Sequence, residues 1–189
     1  MAAGLGLLGR GRLTHAIPLW VLHVGGAAVA GAAMGYVLGW GGELVSLAAW
    51  RPWVIGVVAV VAVGLGVRRQ PPTLGRQRQV PRRWAPTVSI PRVYVVWGLL
   101  LGSGVATPIY HTAALLLFGG QLTAGPGLGL ASGAVFGATR QVMALMPVLG
   151  RFGPERTMEL LTRFRPLARR ANVALAAGGG LALVLASRW

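Results

Sequence analysis

The sequence contains no cysteine, no lysine and no aspartate, and its only acids are Glu43, Glu155 and Glu159. Without cysteine there is no disulfide, no thiolate metal site and no thiol redox relay. None of the three glutamates falls inside an apolar run. Paired-carboxylate chemistry, a Ser-His-Asp arrangement and a carboxylate proton relay therefore have no residues to be built from. His23 and His111 are the histidines inside the apolar runs, and they fall toward opposite ends of them, so they cannot share a metal. No cofactor or metal is expected, and nothing argues for an enzyme. Charge of any kind is scarce, at 11% of 189 residues, where a soluble domain carries about 25%.

What is abundant is apolar. Hydrophobic residues make up 54% of the chain and the mean hydropathy is +0.65. They come in runs approaching the ~20 residues needed to cross a hydrocarbon core of about 30 Å. The expected fold is an all-α integral membrane protein, a single transmembrane domain over 1–189. Its five spans fall at about 17–39, 53–67, 93–118, 125–149 and 171–186. The second and fifth are short, roughly 22–24 Å at about 1.5 Å per residue. Trp50 and Trp53 at one end of the second, with Arg68 and Arg69 at the other, supply interfacial anchors. No cleavage site follows the first run convincingly, so it is read as a retained helix.

The net charge of +15 comes from 18 arginines. In a soluble protein a pI near 12.0 would point to nucleic acid. Here the arginines sit between the apolar runs, where the positive-inside rule places them, and nucleic-acid binding is not expected. Two precede the first span, and the first connection has only Arg51. The second has Arg68, Arg69, Arg76, Arg78, Arg82, Arg83 and Arg92. The third, 119–124, has none, and the fourth has Arg151, Arg156, Arg163, Arg165, Arg169 and Arg170. Only Arg188 follows the last span. This alternation fits five crossings, with the N-terminus cytoplasmic, the C-terminus outside, and basic cytoplasmic loops at 68–92 and 150–170 facing an anionic inner leaflet. Arginine in place of lysine, with heavy use of Ala, Gly and Val, suggests a GC-rich bacterial genome and hence a bacterial plasma membrane.

Pro71, Pro72, Pro81, Pro86 and Pro91 make the second connection an extended strap rather than a helix. The fourth connection has two readings. Pro154 and Glu155 suit a helix start, and Met158, Leu160, Leu161, Phe164 and Leu167 against Arg156, Arg163 and Arg170 describe an interfacial amphipathic helix interrupted at Pro166. The other reading is a solvated basic loop.

Glycine supplies 30 residues. In lipid, small residues let helix backbones approach closely. Gly125, Gly129, Gly133 and Gly137 form a four-residue repeat. Ala27, Gly31, Gly35 and Gly39 form another, and Gly98 and Gly102 a third. These stripes predict tight packing within the chain or a flat face for a partner.

Few polar residues fall inside the spans. Segment three reads Gly102-Ser103-Gly104-Val105-Ala106-Thr107-Pro108-Ile109-Tyr110-His111, and Pro108 should kink or open the helix there. Ser103, Thr107, Pro108 and His111 are candidates for a substrate or polar site, because broken helices expose backbone in many transporters. A plain kink with its freed carbonyl satisfied locally is the other reading. Arg140, the arginine inside a span, either attracts an anion, snorkels, or bonds carbonyls freed by a kink, and Gln141 adjoins it.

Gly102-x-Gly104-x-x-Thr107-Pro108 resembles the helix opening the second repeat of the DsbD/CcdA-type membrane electron carriers. There a Gly-rich approach leads to Thr-Pro-Cys. Ile109 stands at the cysteine position here, and the helix carrying the family's first cysteine has no counterpart. Segment four, with Gly137, Arg140 and Pro147, is loosely similar to the following helix, and segments one and two resemble the last two helices of the first repeat. The resemblance implies the scaffold without its thiol–disulfide relay.

Two functions are therefore expected to compete. One is a non-catalytic accessory or assembly subunit docking on another membrane protein. The other is a small transporter of an anion or small solute working at Gly104–Pro108, with an intramembrane enzyme behind both.

Overall fold

A computed structural model describes residues 13–68, 89–104, 111–142 and 154–187. Among these residues the chain is helical, with no strand. Helix α1 (Leu13–Leu44) ends where Ser46 turns left-handed, φ 55°, and gives its N–H to Glu43 O at 3.0 Å. A 3-10 turn (Leu47–Trp50) leads into α2 (Arg51–Gly66), with Pro52 in the first turn, where its missing N–H has no helical use. Helix α3 (Ile90–Gly102) starts on Pro91 in the same way. It stops at Ser103–Gly104, where Gly104 takes φ 71°, the left-handed conformation that commonly ends a helix. Helix α4 (Ala114–Ala124) is closed by Gly125, φ 81°, and Pro126 opens α5 (Pro126–Val142). Helix α6 runs unbroken from Pro154 to Ala186.

Among the described residues two stretches are long and apolar enough to cross a membrane, Ile17–Leu44 and Leu47–Gly66. The first covers about 42 Å and the second about 30 Å at 1.5 Å per residue.

Helix α1 is the centre of one group. Gly31, Gly35 and Gly39 meet Gly133, Gly129 and Gly125 in that order, so α5 runs antiparallel to it. Gly98 lies on His23 and Gly102 on Ala27, so α3 runs parallel to it. A second group is built on α2. Ala59 faces Gly180 and Gly66 faces Asn172, which makes α6 antiparallel to α2. Helix α4 joins the groups: Gly119 packs on Val58 of α2, and Leu122 lies against Gly42 of α1.

The interior is inverted relative to a water-soluble bundle. Among the described residues the buried apolar ones are Ala27, Ile55, Ala62, Leu116 and Ala176, while His23, Thr112, Gln121, Thr123, Gln141 and Asn172 are buried polar ones. Large apolar side chains point outward instead, among them Val29, Val37, Trp40, Trp53, Val57, Val60 and Leu181. In water, such a distribution would leave the hydrophobic effect with little to bury.

Three boundaries differ from the sequence reading. The stretch 93–118 is not one helix: α3 ends at Gly102 and α4 begins at Ala114. The connection expected at 119–124 is helical, and the turn is confined to Gly125, the residue whose positive φ glycine tolerates. Of the two readings of the connection at 150–170, the helix beginning at Pro154 is the one found, but Pro166 does not interrupt it. A proline removes one backbone bond, which a long helix with intact turns on both sides can absorb as a local bend. The part of the fourth span at 143–149, and most of the strap at 68–92, lie outside the described residues.

Candidate functional site at the broken helix

Helices α3 and α4 lie at successive heights along α1. The first packs beside His23 to Ala27, and the second beside Gly35 to Gly42. Both point the same way as α1, because α4 forms an antiparallel hairpin with α5 and α5 is antiparallel to α1. The pair behaves as one ascending element broken between Gly102 and Ala114.

A broken helix leaves unsatisfied carbonyls at one end and unsatisfied N–H groups at the other, with partial negative and positive charge respectively. Side chains from other helices meet both ends. At the C-terminus of α3, Arg140 of α5 donates Nη1–H to the carbonyl of Leu101 at 2.8 Å. Its guanidinium carbon also lies 5.7 Å from the ring centroid of Phe136, within cation–π range. Ser103 donates to the carbonyl of Leu100 at 3.4 Å. At the N-terminus of α4, Asn172 of α6 accepts from the backbone N–H of Ala113 at 2.9 Å and donates to Thr112 Oγ1 at 2.9 Å. Thr112 is wholly buried. The next N–H groups, of Ala114, Leu115 and Leu116, close a tight turn on His111, Thr112 and Ala113.

One turn along α1 lies a second polar contact. His23 is bonded at both ring nitrogens, Nδ1 to the carbonyl of Tyr94 at 3.1 Å and Nε2 to the Gln141 side-chain amide at 2.9 Å. A backbone carbonyl only accepts, so Nδ1 carries hydrogen. The Tyr94 ring meets the imidazole edge-on at 6.2 Å. Arg169 closes the end of α2 in the same manner as Arg140 closes α3. It donates Nε–H to Gly66 O at 3.3 Å and Nη2–H to the carbonyls of Val67 and Arg68. Gln121, 2% exposed, donates to Ser132 Oγ at 3.3 Å, and its Oε1 has no partner among the described residues.

Of the candidates named from sequence, Ser103 and Arg140 each bond a carbonyl at the end of α3, and Gln141 is held by His23. His111 is exposed at the start of the turn into α4. Thr107 and Pro108 lie outside the described residues. Sequence reasoning missed His23 as the partner of Gln141, and it missed Asn172 and Gln121 altogether. Asn172 carried a usable signal: an amide just inside an apolar run has to find partners there. The described residues contain no cluster of His, Cys, Asp or Glu able to hold a metal.

The arrangement defines a helical bundle of glycine-packed, outwardly apolar helices with an internally capped break. No protein-family model, curated protein or solved structure matches the chain.

Proposed function

We propose that the chain is a five-crossing protein of a bacterial plasma membrane that acts as a non-catalytic accessory or assembly subunit of a larger membrane complex. The crossings are α1, α2, the broken pair α3–α4, α5 and α6, with the arginine-rich connections on the cytoplasmic, anionic side. The inverted interior supports the membrane reading. Lipid gives no hydrophobic drive between helices, so close glycine contacts and satisfied polar groups are what hold a bundle there.

The observation that carries the choice of subunit over transporter is the capping of the break. In discontinuous-helix transporters the half-helix ends meet the substrate or ion. Here Arg140 and Asn172, from two other helices, already engage those ends. The chemistry at Gly104 then serves architecture. Kinship with the DsbD/CcdA-type scaffold, resting on Gly102, Gly104, Thr107 and Pro108, belongs to the same proposal, with the relay lost.

The glycines at 125, 129, 133 and 137 lie opposite α1 or, for Gly125, at the turn facing it, so a partner face has to lie elsewhere. Helix α2 offers one: Gly56 and Gly64 have open space where a Cβ would be, beside exposed Val57, Val60 and Val61. Native mass spectrometry of the chain released gently from its own membrane tests the proposal. A stoichiometric membrane partner, lost when Gly56 and Gly64 are both replaced by leucine, is the expected result. A lone chain, together with solute flux that Arg140→Ala abolishes in a still-folded protein, would replace it with the transporter reading.

A further inference from the structure

The N-terminal half of α6 is exposed along nearly all of its described side chains. Among the residues whose side chains are described between Arg156 and Ala168, all but the half-buried Leu160 are exposed, and the half-buried Arg169 that follows bonds the last carbonyls of α2. Pro154 to Ala168 spans about 22 Å of helix, at 1.5 Å per residue.

Its faces are not random. At about 100° per residue, Leu160, Phe164, Leu167 and Ala168 share an arc on the order of 100° wide. Phe164 and Leu167 are 52% and 61% exposed. Arg156, Arg163 and Arg170 line one edge of that arc and Arg165 stands beyond the other, all four exposed. An apolar strip edged on both sides by arginines matches a membrane surface, where side chains sink between headgroups and guanidinium groups reach phosphates to either side. Pro166 withholds one backbone bond from the helix just before the Arg169 anchor, which makes that turn the easiest place for α6 to bend.

We infer that the segment from Pro154 to Ala168 is an arm that lies on the anionic leaflet of the bilayer, pivoting at Pro166 about the Arg169 anchor. This rests on the membrane reading above. The occupant of its apolar strip is a phosphate-bearing anionic lipid surface.

The absence of cysteine makes the test clean. Phe164→Cys carries an environment-sensitive fluorophore on the full chain in nanodiscs of phosphatidylcholine, with or without a third of phosphatidylglycerol. Val57→Cys on α2 serves as the reference for membrane insertion. The arm predicts that the label at 164 shifts to the blue and is shielded from aqueous quencher only when phosphatidylglycerol is present. High salt, or Arg163→Gln with Arg165→Gln, should reverse that shift while the label at 57 stays shielded throughout. A label at 164 that remains in water with phosphatidylglycerol, while 57 is in lipid, overturns the arm and points to a soluble partner. A label at 57 open to water overturns the membrane reading itself.

Discussion

Gly31 and Gly133 exclude each other's side chains: a Cβ on either would overlap the carbonyl oxygen of the other. The same reciprocity holds one turn along, between Gly35 and Gly129. The α1–α5 contact is therefore backbone on backbone, and each added methyl must push two helices apart.

Gly133→Ala and Gly35→Ala are expected to destabilise by about 1–3 kcal/mol each, as overpacking does. Gly25→Ala and Gly178→Ala, where a Cβ meets open space, should be neutral or slightly stabilising, since alanine is the better helix former by up to about 1 kcal/mol. Thermal unfolding in detergent, followed by loss of the monodisperse peak, separates the two sets.

Arg140→Ala should destabilise by about 1.5–3 kcal/mol, the range for hydrogen bonds to charged groups, because it uncaps the end of α3. Arg140→Lys keeps the charge but not the planar fork, and should recover part of the loss. Hydrogen exchange over residues 94–102 reads the effect locally, with faster exchange confined to the last turn of α3.

Asn172→Leu removes an acceptor from Ala113 N–H and a donor from the fully buried Thr112 hydroxyl. Leaving two buried groups unpaired costs about 1–3 kcal/mol for each. Adding Thr112→Val should return part of the loss, since it deletes one orphan. Unfolding midpoints of the single and double variants measure that recovery.

His23 and Gln141 face each other across α1 and α5 at 2.9 Å. His23→Phe and Gln141→Leu should each destabilise, and the double variant should fall short of the sum by about 0.5–3 kcal/mol, as for residues in direct contact. Strict additivity in this double-mutant cycle would mean that the bond contributes nothing.

Much of the architecture was legible because glycine and apolar runs report directly on the solvent. The α1 run, the α2 run and the four-residue glycine repeats appear in the helices where the periodicity put them. The boundaries were less legible. Gly119-Gly120 looked like a turn, yet both are helical, and the adjacent Gly125-Pro126 carries the whole hairpin because only there does the backbone need a positive φ. Pro166 looked like a stop, and the helix passes through it. The polar pairings were the least legible. His23 meets Gln141, and Arg140 meets Leu101, across 118 and 39 residues of sequence, so no local pattern encodes them.

The proposed five-crossing bundle puts its basic connections on one side of the membrane. Single cysteines at Val45, Ser89, Arg163 and Ser187 in the otherwise cysteine-free chain, probed in intact cells with a membrane-impermeant maleimide, test it most directly. Labelling is expected at 45 and 187 in intact cells, and at 89 and 163 only after the membrane is opened. Labelling of 163 and 187 from the same side, or of all four at equal rates in intact cells, would contradict it.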